Sequence, residues 1–316
     1  MNLYVLTQGA KIGIKEGEFY IQNPEGKILS TYPQKLVENL FIFGNVFLTT
    51  QAINFCLKNK IRVLFLSSKG DYIGSLISID QERVFLKYKQ WQIFKQEEKR
   101  IFLTRIILKE KFKNQRGLIY SFCKNQNKID LYDTFKQQSE KLLKQIDFVS
   151  SIETLRGLEG SYSSCYFSIF PEIILNKKFR FFGRNHYPPK DEINSILSFG
   201  YTLLVNFITG FIVANSLDPY VGFFHENKYK RENLSLDIME EFRPNIDQII
   251  LKLINLKMID IEDFEKKDDL VLIKKEALHK IFNLFQKEIV NNFKLINRIE
   301  SRLGQIIKYL NENEKD

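Results

Sequence analysis

Cysteine is scarce in this chain: Cys56, Cys123 and Cys165 stand far apart, each among apolar or aromatic neighbours. An odd number at that spacing argues against a disulfide framework and a zinc cluster, and predicts buried, reduced thiols. Histidine is equally sparse, with three residues and no His-x-x-x-His pair to hold a catalytic zinc. No Gly-x-Ser-x-Gly elbow offers a serine nucleophile, and no Gly-rich Walker-type loop offers a cradle for ATP phosphates. The N-terminal Met1–Leu6 lacks a basic region followed by a long apolar one, so no secretory leader is read and a cytoplasmic location is expected. Internal repeats and low-complexity linkers are also missing.

Charge is missing from one long stretch, Ile193 to Leu217, which is long enough to cross a bilayer as a helix. Ser195, Ser198, Thr202, Asn206 and Thr209 recur along it at steps of three and four, which draws an uncharged polar stripe on one helical face. Lipid accommodates such a stripe poorly. The expectation is a central helix buried in a soluble helical domain and no membrane partner, with a single span as the alternative.

What is abundant is aromatic and basic. With 316 residues, 44% of them hydrophobic, and with 28 Phe and 14 Tyr, the chain can bury a sizeable core and support two domains. Lysine and arginine outnumber the acids by 47 to 38, a net charge of +9 that favours a polyanionic partner, nucleic acid first among them. The same excess also arises from the Lys-, Ile-, Asn- and Phe-rich usage of AT-rich genomes.

From Leu3 to about Ile79 the text runs in short alternating segments. Pro24-Glu-Gly-Lys27 reads as a hairpin turn, Leu40–Gly44 and Ile61–Leu66 as buried strands, and Thr49–Asn59 as a short helix between them. Past Asp80, glycine and proline thin out and apolar residues fall at helical spacing. The predicted architecture is α+β: a β-rich domain over residues 1–84, then a larger all-α domain over 85–316. Gly70 and Gly74 punctuate the first, and Ile246 to Leu310 reads as further helices in the second.

Between Lys87 and Arg116 ten basic residues face three acids, which fits either a phosphate-binding surface or a solvated helix face. Ser150-Ser-Ile-Glu153 has capping-box spacing, and the helix it opens should bury Ile152, Leu155, Tyr162 and Tyr166. Glu159 lies in that helix beside Gly157 and Gly160, each about 1 kcal/mol poorer than alanine there and so expected where a ligand needs access.

The most concentrated chemistry is Leu234-Ser-Leu-Asp-Ile-Met-Glu-Glu-Phe-Arg-Pro244, where a helix brings Asp237 onto one face with Glu240 or Glu241 and Pro244 is read as its stop. His225 stands twelve residues before Asp237. Carboxylates joined by one imidazole suit Mg²⁺ or Mn²⁺, whereas each residue alone also has a plain structural reading. His186 and His279 have no comparable acidic company in their own segments.

Leu155-Arg-Gly-Leu-Glu-Gly160, Gly222-Phe-Phe-His225 and Leu236–Pro244 occur in an order that resembles the CRISPR-associated adaptation integrase family, the "Cas one" proteins. Lys111-Phe-Lys-Asn-Gln115, Asn194–Tyr201 and Ile42-Phe-Gly-Asn45 extend the resemblance over almost the whole chain. The resemblance implies a β-rich dimerisation domain and a helical domain with a divalent-metal nuclease and integrase site. Its ligands fall on Glu159, His225 and Glu240, its supporting acid on Asp237, and Glu241 is peripheral. It further implies a homodimer acting with DNA and a small ferredoxin-like "Cas two" partner, inserting foreign DNA by 3′-hydroxyl attack. Arg243 is expected at phosphate or at a ligand carboxylate, and Arg156 beside Glu159. The competing reading is a non-catalytic basic scaffold that binds nucleic acid.

Overall fold

The computed structural model describes residues 1–68, 72–78, 81–185, 188–225, 230–268 and 270–313, with backbone alone for residues 81–83. Gly70, Asp80, His186 and Glu226, singled out in the sequence, lie outside those residues. By its contacts the chain divides into two units: Met1–Tyr88 with Asn206–Asp218, and Lys89–Val205 with Pro219–Asp316.

In the first unit, β1 (Asn2–Val5), β2 (Lys11–Lys15), β3 (Glu18–Gln22), β4 (Ile28–Pro33), β5 (Asn39–Phe43), β6 (Phe47–Leu48), α1 (Thr50–Lys58), β7 (Arg62–Leu66) and β8 (Tyr72–Leu76) follow in order. They form two four-stranded sheets, β1-β5-β7-β8 and β4-β3-β2-β6. Central β5 is parallel to both its neighbours and is buried at all five positions, which explains its unbroken run Asn-Leu-Phe-Ile-Phe. By contrast β4 has no fully buried residue and closes its sheet at one edge. The expected hairpin joins β3 to β4, with Gly26 at φ +86° in its turn. Leu3, Ile12, Phe19, Leu40, Ile42 and Val63 make one core. Phe41 stacks on Tyr4 at 4.8 Å and meets Phe211 of the distant segment at 5.0 Å.

The second unit is dominated by helices. After α2 (Gln81–Phe94), which begins in the first unit, come α3 (Glu97–Asn125), α4 (Ile129–Gln145), α5 (Ile152–Phe167), the short α6 (Phe170–Ile173), α7 (Glu192–Ala214), which belongs to the first unit from Asn206 on, and α8 (Asn233–Asn255). Then follow β9 (Phe264–Lys267), β10 (Leu270–Ile273), α9 (Lys275–Phe285) and α10 (Phe293–Glu312). The antiparallel pair β9–β10 replaces helix in the stretch read as wholly helical. The β10 edge explains it: Val271 donates to the Pro189 carbonyl and accepts from the Ser195 hydroxyl, both at backbone sites that a helix would use internally.

Ser151, one residue later than its spacing suggested, caps α5 by accepting from the Thr154 amide at 3.2 Å. Ile152, Leu155, Tyr162 and Tyr166 are buried as predicted. Tyr162 stacks on Phe112 and donates to its carbonyl at 3.0 Å, which holds α5 against α3. α8 does not stop at Pro244 but runs eleven residues further, to Asn255. The proline removes one backbone donor, a loss outweighed by burial of Ile246, Ile249, Ile250, Leu253 and Ile254 on the continuing turns.

In α7 the most apolar window is long and apolar enough to span a bilayer, and 67% of it is buried inside the protein. Cys56 and Cys123 are buried and Cys165 half-buried, all free thiols.

Candidate active site

The acids of α8 sit on a helix that is buried almost all round, so each must find a partner. Asp237, fully buried, accepts from three consecutive backbone amides: Phe223 at 2.5 Å, Phe224 at 2.9 Å and His225 at 3.0 Å. Its Oδ1 also receives the His225 Nδ1 at 2.6 Å. A carboxylate can only accept, so Nδ1 carries a proton, and in the neutral ring Nε2 is the nitrogen with the lone pair. The loop reaches this close to α8 because position 222 is glycine: a Cβ there would stand 2.7 Å from both the Asn233 carbonyl carbon and Asp237 Oδ2. Arg100 and Arg156 fix the loop from its other side, donating to the carbonyls of Phe223 and Phe224 at 2.9 and 2.8 Å.

One turn along α8, Glu240 is 3% exposed and paired twice, with the Lys111 ammonium at 2.6 Å and the Arg243 guanidinium at 2.9 Å. Burial pushes its pKa up, but Arg243, Lys111 and His225 together outweigh burial and bring it down to about 2. Lys111 reaches from α3 and also bonds Glu159 of α5, which accepts from Ser163 at 2.7 Å as well. Burial drives the Lys111 pKa down; Glu240 and Glu159 more than reverse this, so the ammonium stays charged although it is 2% exposed. Gly157 and Gly160 have open space where a Cβ would stand, and the Glu159 side chain retains 23% of its exposure.

Glu159 and Glu240 therefore converge on one ammonium, and Asp237 aims His225. Lys111 was only part of a motif in the sequence, and its spacing among neighbouring bases gave no signal that it would be buried between two acids. Arg243 meets Glu240 and lies 4.5 Å over the Tyr201 ring. Arg156, expected beside Glu159, instead donates to the Phe224 carbonyl, while the Glu159 partners are Lys111 and Ser163. Glu241 faces away from these residues and receives Arg302 Nε at 2.6 Å. Among the described residues no three His, Cys, Asp or Glu side chains stand at metal-ligand spacing, and the Lys111 ammonium bridges the two glutamates.

Part of the basic run over residues 87–116 is tied to other elements, while Lys87, Lys95 and Lys113 are exposed. Arg100 and Arg105 bond backbone carbonyls, Lys109 pairs with Asp147, Arg116 pairs with Glu140 and Lys111 holds the two glutamates. These five bases tie one part of the helical unit to another.

A pair of acids on two helices, held by a lysine from a third and flanked by an oriented imidazole, together with a two-sheet N-terminal unit, defines an α+β protein with a polar centre in its helical unit. The profile of the family described as "CRISPR associated protein Cas1" matches residues 3–287, and the chain belongs to that family. It is 29% identical over 286 residues to "CRISPR-associated endonuclease Cas1 3" of Thermus thermophilus, covering 90% of this chain and 83% of the relative. With "CRISPR-associated endonuclease Cas1 1" of Thermodesulfovibrio yellowstonii it shares 32% identity over 267 residues, 83% of each. The fold is similar to a chain of a "Partial Cas6-RT-Cas1--Cas2 complex", with a TM-score of 0.82, 22% identity and coverage of 99% and 96%. It is also similar to a "Casposase bound to integration product", with a TM-score of 0.76, 21% identity and the same coverage.

Proposed function

We propose that this chain is a divalent-metal-dependent DNA endonuclease and integrase of CRISPR adaptation. It inserts short foreign DNA into the CRISPR array by attack of a 3′-hydroxyl on phosphodiesters. The observation that carries this reading is the convergence of Glu159 and Glu240 beside a His225 whose Nε2 is freed by Asp237. The donor set fits Mg²⁺ or Mn²⁺: two carboxylate oxygens, one of them anionic down to about pH 2, and one imidazole nitrogen. Glu159, His225 and Glu240 would hold the ion once the Lys111 ammonium withdraws from between the glutamates. When bound, such an ion draws charge from the attacked phosphate, activates the attacking hydroxyl and steadies the departing oxygen. Asp237 keeps the His225 proton on Nδ1, and Arg243 keeps Glu240 anionic. The attacking 3′-oxygen forms one P–O bond as another breaks. Phosphodiesters are thus conserved, and ATP is not needed.

The relatives named as endonucleases, and similar folds from a complex with Cas2 and from a casposase, support the same reading. DNA is the substrate, in a cytoplasmic homodimer that works with a small ferredoxin-like Cas2-type partner. Glu159→Gln, His225→Ala and Glu240→Gln should each lower Mn²⁺-dependent cleavage and strand joining at least about a hundredfold, and Asp237→Asn roughly ten- to a hundredfold. Unchanged turnover in the three ligand variants would remove the site. A second reading, the non-catalytic scaffold, has one observation in its favour, since Lys111 already neutralises both glutamates. DNA binding without any metal-dependent turnover would select it.

A further inference from the structure

Lys111 is all but sealed from water, and its ammonium bonds Glu159, Glu240 at 2.6 Å and, more loosely, the Ser163 hydroxyl at 3.4 Å. A divalent ion held by the two glutamates would take the ammonium's place. A buried ammonium stripped of acceptors would then oppose the ion, so the displaced charge needs oxygen within its own reach.

The run Lys111–Gln115 supplies one. Phe112 stacks on Tyr162, Lys113 pairs with Glu110, and Asn114 donates to the Glu241 carbonyl at 2.9 Å. Gln115 differs from these: it is 1% exposed, and its amide oxygen is sealed from solvent without a hydrogen-bond partner. Buried polar atoms nearly always find partners, so an orphaned acceptor on this helix points to a donor that reaches it in another arrangement of the site. Residues four apart on a helix have Cβ atoms about 5–6 Å apart, and side chains lean toward the helix N-terminus. Gln115 is thereby brought back over the turn of α3 that carries Lys111. Ser163 offers a second oxygen, since it donates its own proton to Glu159 at 2.7 Å and keeps its lone pairs for another donor. Arg243 Nε is also buried without a partner, but it is itself a donor and cannot receive an ammonium.

We propose that Gln115 is a positioning residue which, with Ser163, receives the Lys111 ammonium when a divalent ion occupies Glu159 and Glu240. The lysine then moves between two buried seats rather than out to solvent. Its flexible four-carbon stem allows the shift by side-chain rotation, without movement of α3. The proposal rests on the metal reading of Glu159, His225 and Glu240.

The test follows Mn²⁺ uptake by the full chain without DNA, using electron paramagnetic resonance of the free ion, together with melting temperatures in chelator. Gln115→Met keeps the length of the side chain and replaces the amide with a weakly accepting thioether. It should weaken Mn²⁺ binding roughly 10- to 100-fold, the scale of one lost hydrogen bond to a charged group. Its melting temperature in chelator should stay level or rise, because an unpartnered buried acceptor has gone. A glutamine that served only packing would give the opposite pair, a lower melting temperature and unchanged affinity. In a Lys111→Met background, Gln115→Met should have no further effect on Mn²⁺ affinity. A crystal of the wild type soaked in Mn²⁺ needs no variant, and should place the Lys111 ammonium within hydrogen-bond distance of the Gln115 and Ser163 oxygens. An ammonium turned out to solvent there would overturn the proposal, as would wild-type affinity in Gln115→Met. If Gln115→Met binds Mn²⁺ as the wild type does while Glu159→Gln and Glu240→Gln lose it, the receiving seat is wrong and the metal reading stands. If the wild type takes up no Mn²⁺, both fall.

Discussion

Lys111 holds together carboxylates from two other helices, so its removal leaves an acid cluster without its shared cation. Lys111→Met should therefore destabilise the metal-free protein by roughly 3 kcal/mol, the scale of a broken buried ion pair. Mn²⁺ should then raise the melting temperature of the variant more than that of the wild type, because the ion replaces the missing charge without displacing an ammonium. An equal shift in both proteins would show that Lys111 does not stand in the ion's place. At this scale the sequence was legible in part. His225, Asp237 and Glu240 could be nominated because they lie within sixteen residues of one another and helical spacing aligns two of them. Lys111 could not be separated from nine other bases, since what distinguishes it is the crossing of α3 with α5 and α8, and periodicity carries no record of which helices cross.

Asp247 shows how the elements are pinned. It accepts from Tyr166 of α5 at 2.8 Å and Tyr201 of α7 at 2.5 Å, so a single carboxyl on α8 fastens three helices. Burial pushes its pKa up to about 6, against the lowering effect of both tyrosines and of Arg243 and Arg184. The sign follows from proton linkage. Its folded pKa lies above the ordinary 3.8, so its contribution to stability is complete below that value and is lost as the pH rises through about 6. Across that window the loss is of the order of 3 kcal/mol. Asp247→Asn should flatten the melting temperature between pH 4 and pH 6.5 relative to the wild type, a comparison that calorimetry at several pH values can make. The strands, hairpin and buried face of α5 were readable because period-two and period-3.6 patterns report burial locally. The continuation of α8 past Pro244 was not readable, because a local rule about proline is overridden by apolar packing further along. Nor were β9 and β10, where pairing with Pro189 and Ser195 decides the conformation.

For the whole molecule, the most informative fact is that the first contact unit is not continuous in sequence. Residues 1–84 read as a domain on their own, yet Asn206–Asp218 belongs with them. Phe211 stands 5.0 Å from Phe41, and Arg62 donates to Ser216 at 2.9 Å. A fragment ending at Tyr88 should accordingly lack a cooperative thermal transition by circular dichroism, and adding residues 206–218 as a separate peptide should restore structure only at high concentration. On the ribosome the same arrangement sets an order of events. Chains grow at roughly 5–20 residues per second, so the β-rich segment waits of the order of ten seconds after Tyr88 is made before Phe211 follows. Over that interval the strands bearing Phe41 and Tyr4 are complete in sequence but missing part of their core, and for a short time this is a protein that a chaperone has reason to hold.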